Sequence, residues 1–434
     1  MRVIHITNND YDGAGLAVMR LHNQLLLQGV DSNVALVFSS SKNANKKIIR
    51  IGYGETIRQF LLDIITFKIF FKHKQYIDIF YYLLIRINEK VFKVFYRPKN
   101  LFNFNYGISR YYQLKKYIFN NDVVVLHSIQ GILNPIDIVK IQEEFKVKIV
   151  MRPLDMELIT GGCHFNYQCM KWQQQCGSCP QLKSNKLKDV SNRAFIDKKN
   201  SYSNIPIHWI APNSFIQNRL SESPIVSSNH KVSTIFLGVE KDRYKFISQS
   251  IARGKFNLPS DKKIILFGCF NLSDERKGAA LLYKVLKNSL DKQCIKDTCL
   301  VTFGTLNGFS FNGIGLDWIH LEELTTDIEM NYLYRSADLL VSPSLNDLGP
   351  VIVVEAFMND LPIVSFDLGV AMDVVINDVN GNLIECFNLK KFGLAISNII
   401  MNGLENFTIN REIKRIHEQC ELEEEALIFI EKCL

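Results

Sequence analysis

The sequence predicts an α/β protein built as two parallel-sheet domains, and three observations carry that expectation. At 434 residues the chain exceeds the size at which a single hydrophobic core keeps growing. Its start reads as strand, glycine-bearing loop, helix and strand: RVIHI (2–6), TNNDYDGAG, LAVMRLHNQLLLQG and NVALVF (33–38). Far down the chain, SADLLVSPSLNDLGPVIVVEAFMNDLPIV (336–364) repeats the form. There a short apolar strand stops at Pro343, a polar turn follows, Pro350 opens a helix that carries Glu355, and PIVSF is the next strand.

Composition narrows the class without naming a function. With 47% hydrophobic and 22% charged residues the chain is an ordinary globular protein rather than a disordered or fibrous one. A formal charge of +7 favours anionic partners of any kind. MRVIHITNN runs straight into a strand with no signal-peptide apolar region behind it. The ten cysteines do not follow a secreted disulfide framework, so the expected compartment is the cytosol.

In the first domain, expected over 1–225, Leu16, Met19, Leu21, Leu25 and Leu26 form the apolar side of the first helix. Gly13 and Gly15 in the turn before it leave room for a phosphate or sugar beside the backbone, or serve the turn alone. The dinucleotide fingerprint GxGxxG is absent, which argues against an NAD domain. Residues 57–99 are crowded with Phe, Tyr and Ile and carry nine Lys or Arg against three acids. They read as basic aromatic helices, suited either to an anionic membrane surface or to the domain core. Their uncharged runs are too short to span a bilayer, and no RNP, KH or zinc-finger signature accompanies them, so nucleic acid is not expected. VVVLHSIQG (123–131) and KVKIVMRPLDM (147–156) are further strands, with His127, Arg152 and Asp155 at or just beyond their carboxyl ends. Open parallel sheets bind ligands there, which makes His127 and Asp155 candidate catalytic residues, with a satisfied structural histidine as the other reading of His127. PIHWIAPN (206–213) is expected to be the last strand of this domain, and KVSTIFLGVEKDRY the crossover to the next.

Between them lies GGCHFNYQCMKWQQQCGSCPQL (161–182). Cys163, Cys169, Cys176 and Cys179 end in C-x-x-C with a glycine in the turn, a spacing that closes a tetrahedral structural zinc site. Two disulfides or four packed free thiols also satisfy it.

The second domain, expected over 226–405, opens with KKIILFGCF (262–270), followed by Arg276 and Lys277 just before a helix. Two cations at a helix N-terminus oppose the helix dipole. They make sense where a diphosphate sits on the helix amides with both side chains converging on it. CLVTFGT (299–305) is the next strand. Asp347 on the turn and Glu355 inside the helix fit two readings equally: one carboxylate for sugar hydroxyls and the other for a second part of a ligand, or a solvated Asp and a capping Glu. Helices are expected at 391–400 and 410–432, the last part (406–434) returning to the first domain.

PSLND-LGPVIVV-EA resembles the nucleotide-sugar motif of the retaining glycosyltransferases of family four, with Asp347 in place of the motif's first Glu and Glu355 as its second. DGAG resembles that family's glycine-rich first loop, with Asp12 where a glycine is usual. GGCH, C-x-x-W, CGxCPQL and RKG are similar to a bacterial subgroup that builds colanic acid, capsules and O-antigens. Two departures stand out: Leu154 precedes Asp155 where the family has His, and Cys269 stands where many relatives have Arg. The resemblance implies the glycosyltransferase B fold, two Rossmann-like domains facing across a cleft. It implies a UDP- or GDP-sugar donor, with Glu355 on the ribose, Arg276 and Lys277 on the phosphates, and Asp347, Leu348 and Gly349 near the hexose. It further implies retaining transfer, without a catalytic metal, to a hydroxyl of an oligosaccharide on polyprenyl diphosphate or lipid A core. Such an enzyme works peripherally on the cytoplasmic face of the inner membrane. A phosphorylase, an epimerase or a non-catalytic subunit would use the same fold.

Overall fold

The structure is a computed structural model that describes residues 1–39, 47–51, 102–103, 109–241, 244–290, 296–322, 324, 326–404 and 411–434. The basic aromatic stretch 57–99 lies outside the described residues. Contacts divide the chain into two units. The first comprises Met1–Pro212, Gln217–Ile235 and Ala426–Leu434, and the second Asn213–Ile216 and Phe236–Glu425. The division thus passes at Ile235/Phe236, ten residues beyond the boundary drawn at 225/226.

Among the described residues the first unit has a parallel sheet of β1 (Arg2–Asn9), β2 (Asp31–Phe38), β3 (Ile48–Arg50), β4 (Val123–Leu126), β5 (Lys148–Met151), β6 (Ile207–Ala211) and β7 (Lys231–Thr234). Their order is β3-β2-β1-β4-β5-β6-β7. KVST, expected as a crossover, is therefore a strand: β7 pairs with β6 from His208↔Lys231 to Ala211↔Thr234. Its side chains are exposed or half-buried, so no apolar run marks it. The helix Gly13–Leu27 is capped by Asp12, whose carboxylate accepts from the Gly15 amide at 2.7 Å. A Cβ on Gly15 would lie 2.4 Å from the Asn9 carbonyl oxygen, whereas Gly13 borders open space. Gly15 is thus required by packing of the helix start against the end of β1.

The second unit has a parallel sheet of β8 (Lys263–Asn271), β9 (Thr298–Thr305), β10 (Asp317–Leu321), β11 (Leu339–Ser342), β12 (Ile363–Phe366) and β13 (Gly381–Ile384). The order is β10-β9-β8-β11-β12-β13. Alternate residues of β8 enter different cores: Ile264 and Leu266 join one face, Ile265 and Phe267 the other. Burial on both faces explains the unbroken apolar run. The chain runs outward from β8 to β9 and β10 and then crosses back to β11 on the other side of β8, so the sheet switches between β8 and β11, and the loops after those strands meet there.

The tail expected as one helix over 410–432 is two, Arg411–Gln419 and Leu422–Cys433. The interruption has a cause: Val239 donates to the Cys420 carbonyl at 2.9 Å and accepts from the Leu422 amide at 3.0 Å. From Ala426 onward the last helix packs in the first unit, where Ala426, Phe429 and Cys433 share a core with Val3, Leu21 and Val125.

Candidate functional site

In the second unit the switch point gathers the cations and acids singled out above. After β8 the chain makes a 3-10 turn, Glu275–Lys277, and enters the helix Ala279–Asn288 through Gly278. Gly278 has φ +77°, and a Cβ there would lie 1.9 Å from the Pro343 carbonyl oxygen at the end of β11. Only glycine lets the two loops approach so closely. The Arg276 carbonyl then accepts from the Leu345 amide at 2.8 Å. Lys277 Nζ consequently reaches Asp347 Oδ2 and forms an ion pair with it. Arg276 pairs with Asp274 at 2.5 Å.

Asp347 also accepts from the Gly349 amide through Oδ1, at 3.4 Å. Pro350 is the N-cap of the helix Val351–Met358 rather than its first residue. Glu355, one turn in, accepts from the Tyr334 hydroxyl at 2.8 Å. The Asn213 side chain, grouped with the second unit, donates to the Leu348 carbonyl. Tyr334 and Asn213 carried no signal in the sequence, because both reach the site through tertiary contacts 21 and 135 residues away in the chain. Cys269 is buried, with its thiol pushed up to about 11 by that burial, and donates to the Asn271 carbonyl at 3.2 Å. It supplies no cation.

In the first unit the candidates divide. His127 is turned into the sheet, 3% exposed, with Nε2 3.0 Å from Nδ1 of the fully buried His5. Burial lowers both well below the ordinary imidazole range, and each also feels the Arg152 charge. Both rings are therefore neutral. Asp155 lies apart from this pair, in the loop after β5, with Oδ2 2.6 Å from His164 Nδ1.

The cysteine-rich segment folds as short 3-10 turns with a small apolar core of Phe102, Cys163, Cys179 and Leu182. All four cysteines are free thiols and line one small cavity with Trp172. The Gly161 amide donates to Cys176 Sγ at 3.2 Å. Burial raises the Cys163 and Cys179 thiols, and pushes that of Cys176 up to about 12. Among the described residues no group of three or more His, Cys, Asp or Glu is disposed to hold a metal ion. The donor set is right for zinc, but the thiols are not closed around a centre.

Residues 248–415 match the family "Glycosyl transferases group 1". The match covers less than half of the chain, and most of the second unit. No curated protein matches in sequence. Solved structures resemble the chain over nearly its whole length. Sucrose-phosphate synthase from Thermosynechococcus elongatus has a TM-score of 0.64 at 14% identity, covering 99% of this chain and 98% of that one. HepE from Anabaena, in complex with UDP, has 0.63 at 15%, covering 99% of both. WaaG, a glycosyltransferase involved in lipopolysaccharide biosynthesis, has 0.57 at 13%, covering 99% and 95%. At these identities the likeness establishes the fold, two Rossmann-like units of the glycosyltransferase B type. With a glycosyltransferase group 1 domain on that fold, the chain is a transferase.

Proposed function

We propose that the chain is a retaining glycosyltransferase. It moves a hexosyl unit from a UDP- or GDP-sugar to a hydroxyl of a lipid-linked oligosaccharide in surface polysaccharide synthesis. The observation that carries the donor half is the Lys277–Asp347 ion pair at the β8/β11 switch point, with Glu355 on the next helix. An incoming diphosphate competes with Asp347 for Lys277. As the ammonium turns to the phosphates, the Asp347 carboxylate is released to accept from donor-sugar hydroxyls. Negative charge grows on the leaving diphosphate as the glycosidic bond breaks, and a cation already oriented toward it favours that state over the ground state. Glu355, steadied by Tyr334, is suited to the ribose hydroxyls. HepE, solved with UDP, and WaaG, acting in lipopolysaccharide biosynthesis, support this choice of donor and setting.

The test is thermal unfolding with a panel of UDP-, GDP- and TDP-sugars, since a ligand of the native state raises apparent stability. One nucleotide class raising the midpoint supports the reading, and none doing so contradicts it.

Two further parts belong to the same proposal. A zinc ion on Cys163, Cys169, Cys176 and Cys179 would draw in the thiols that line the insert's cavity and supplement its small core. Attachment to the cytoplasmic face of the inner membrane rests on the basic aromatic composition of 57–99. Among the described residues no helix is long and apolar enough to cross a membrane. Sedimentation with anionic and neutral vesicles tests the attachment: Lys68→Glu, Lys72→Glu and Lys74→Glu together should weaken binding to the anionic ones. Equal recovery in the supernatant with both would contradict it.

A further inference from the structure

Asp155, in the loop after β5, and His164, in the cysteine-rich segment, form a side-chain pair. His164 belongs to the cysteine-rich segment, directly after Cys163, and is 4% exposed. Its Nδ1 lies 2.6 Å from Asp155 Oδ2, and its carbonyl accepts from the Met156 amide at 3.0 Å. The other carboxylate oxygen, Oδ1, accepts from the Glu157 amide at 2.7 Å. Both oxygens of Asp155 are thus fixed from behind, while its side chain remains 26% exposed at the carboxyl end of the sheet.

The remaining nitrogen of His164 sharpens the point. Nε2 is buried and finds no partner among the described residues. Leaving a buried polar atom unsatisfied destabilises the fold, so this imidazole is placed for the sake of its Nδ1 contact. The ground beneath it is rigid. Lys198 is buried and donates to Glu157 Oε1 at 2.7 Å and to the Thr160 carbonyl at 3.1 Å, and Asn103 donates to the same Glu157 oxygen at 2.8 Å. Thr160 Oγ1 donates to the Cys163 carbonyl at 2.8 Å, which ties the cysteine segment to that network one residue before His164.

We propose that His164 is a positioning residue that holds the Asp155 carboxylate in place for a hydroxyl of the acceptor sugar. The cysteine-rich segment then has a definite task, which is to carry His164 to the end of β5. This inference rests on the transferase reading above, because it presumes an acceptor. A carboxylate held at two points loses less freedom on accepting a hydroxyl than a mobile one, so the effect falls on acceptor affinity.

The experiment measures steady-state transfer from the nucleotide sugar that the parent binds. The acceptors are octyl glycosides of glucose, galactose, mannose and N-acetylglucosamine. His164→Ala should raise the acceptor KM at least about 10-fold, with kcat and donor KM near parental values. His164→Asn places an amide donor where Nδ1 was and should restore the KM to within about 3-fold of the parent. Asp155→Asn combined with His164→Ala should be no worse than Asp155→Asn alone, since residues acting through one contact are not additive. An unchanged acceptor KM in His164→Ala overturns the proposal. So does an Asn variant as poor as the Ala variant with equal loss of thermal stability, which marks a purely structural role. A parent that binds the donor but transfers to no glycoside also overturns it. A parent that binds no donor is instead the failure of the transferase reading.

Discussion

Lys277 and Asp347, 70 residues apart in the chain, form an ion pair because β8 and β11 lie side by side and their following loops meet. The pair sits on half-buried side chains, 25% and 14% exposed, where either partner is free to exchange for a ligand. In the proposed transfer, replacing Lys277 by Ala removes the cation that meets the leaving diphosphate. The expected outcome is a fall in kcat/KM of at least about 100-fold. Parental kinetics in the variant would separate Lys277 from the chemistry.

A second expectation concerns the close approach that creates the pair. Gly278→Ala places a methyl group 1.9 Å from the Pro343 carbonyl oxygen at φ +77°, so the two loops must part. Gly308 has a similar φ of +83° but borders open space. Gly308→Ala should therefore cost only the left-handed backbone strain, about 1 kcal/mol. Gly278→Ala should cost at least about 1–3 kcal/mol more and weaken donor binding. Urea unfolding of the two variants checks this, and equal losses would contradict it.

Much of this was legible in the chain, and the rest was hidden for physical reasons. β1, β2, β4, β5, β8, β9, β11 and β12 are buried on both faces, so each reads as an apolar run. The edge strands do not: β7 is KVST, half in water, and β10, DWIHL, has no fully buried residue. Asp347, Glu355, Arg276 and Lys277 stand in local motifs, where spacing made them candidates and the family resemblance supplied their expected roles. Their partners Tyr334 and Asn213 are chosen by tertiary contact. The tail breaks at Cys420 because a distant residue, Val239, captures its backbone. The His5–His127 pair needs β1 and β4 to be neighbours, which no local pattern states.

That histidine pair, together with the buried His22, sets a pH dependence. His5, His22 and His127 are 0%, 0% and 3% exposed, and burial depresses all three, His22 to about 4. Below the unfolded value of 6.5 the unfolded chain binds protons that the native chain refuses. Their contribution to stability is thus complete above pH 6.5 and is lost as pH falls toward the folded values. Each proton accounts for about 1.4 kcal/mol per pH unit within that window. Unfolding free energies at pH 7 and pH 5 should show the decline, and His127→Gln should make it shallower. An identical slope in the variant would rule out this histidine as a source.

The cysteine segment yields a compositional expectation. Protein purified without added metal should carry about one zinc per chain, absent from a Cys176→Ser, Cys179→Ser double variant, which should also be less stable. Metal-free parental protein of full stability would leave the four thiols as loop packing.

The most direct test of the central claim asks whether the β8/β11 switch point reads a diphosphate. Calorimetric titration of the parent and of Lys277→Ala with UDP against UMP, and with GDP against GMP, isolates the outer phosphate. For one base, the parent should bind the diphosphate at least about 10-fold tighter than the monophosphate, a gap of about 1.4 kcal/mol, and the gap should collapse in Lys277→Ala. Equal affinity for both nucleotides in the parent, or a gap that survives loss of the lysine, would contradict the account.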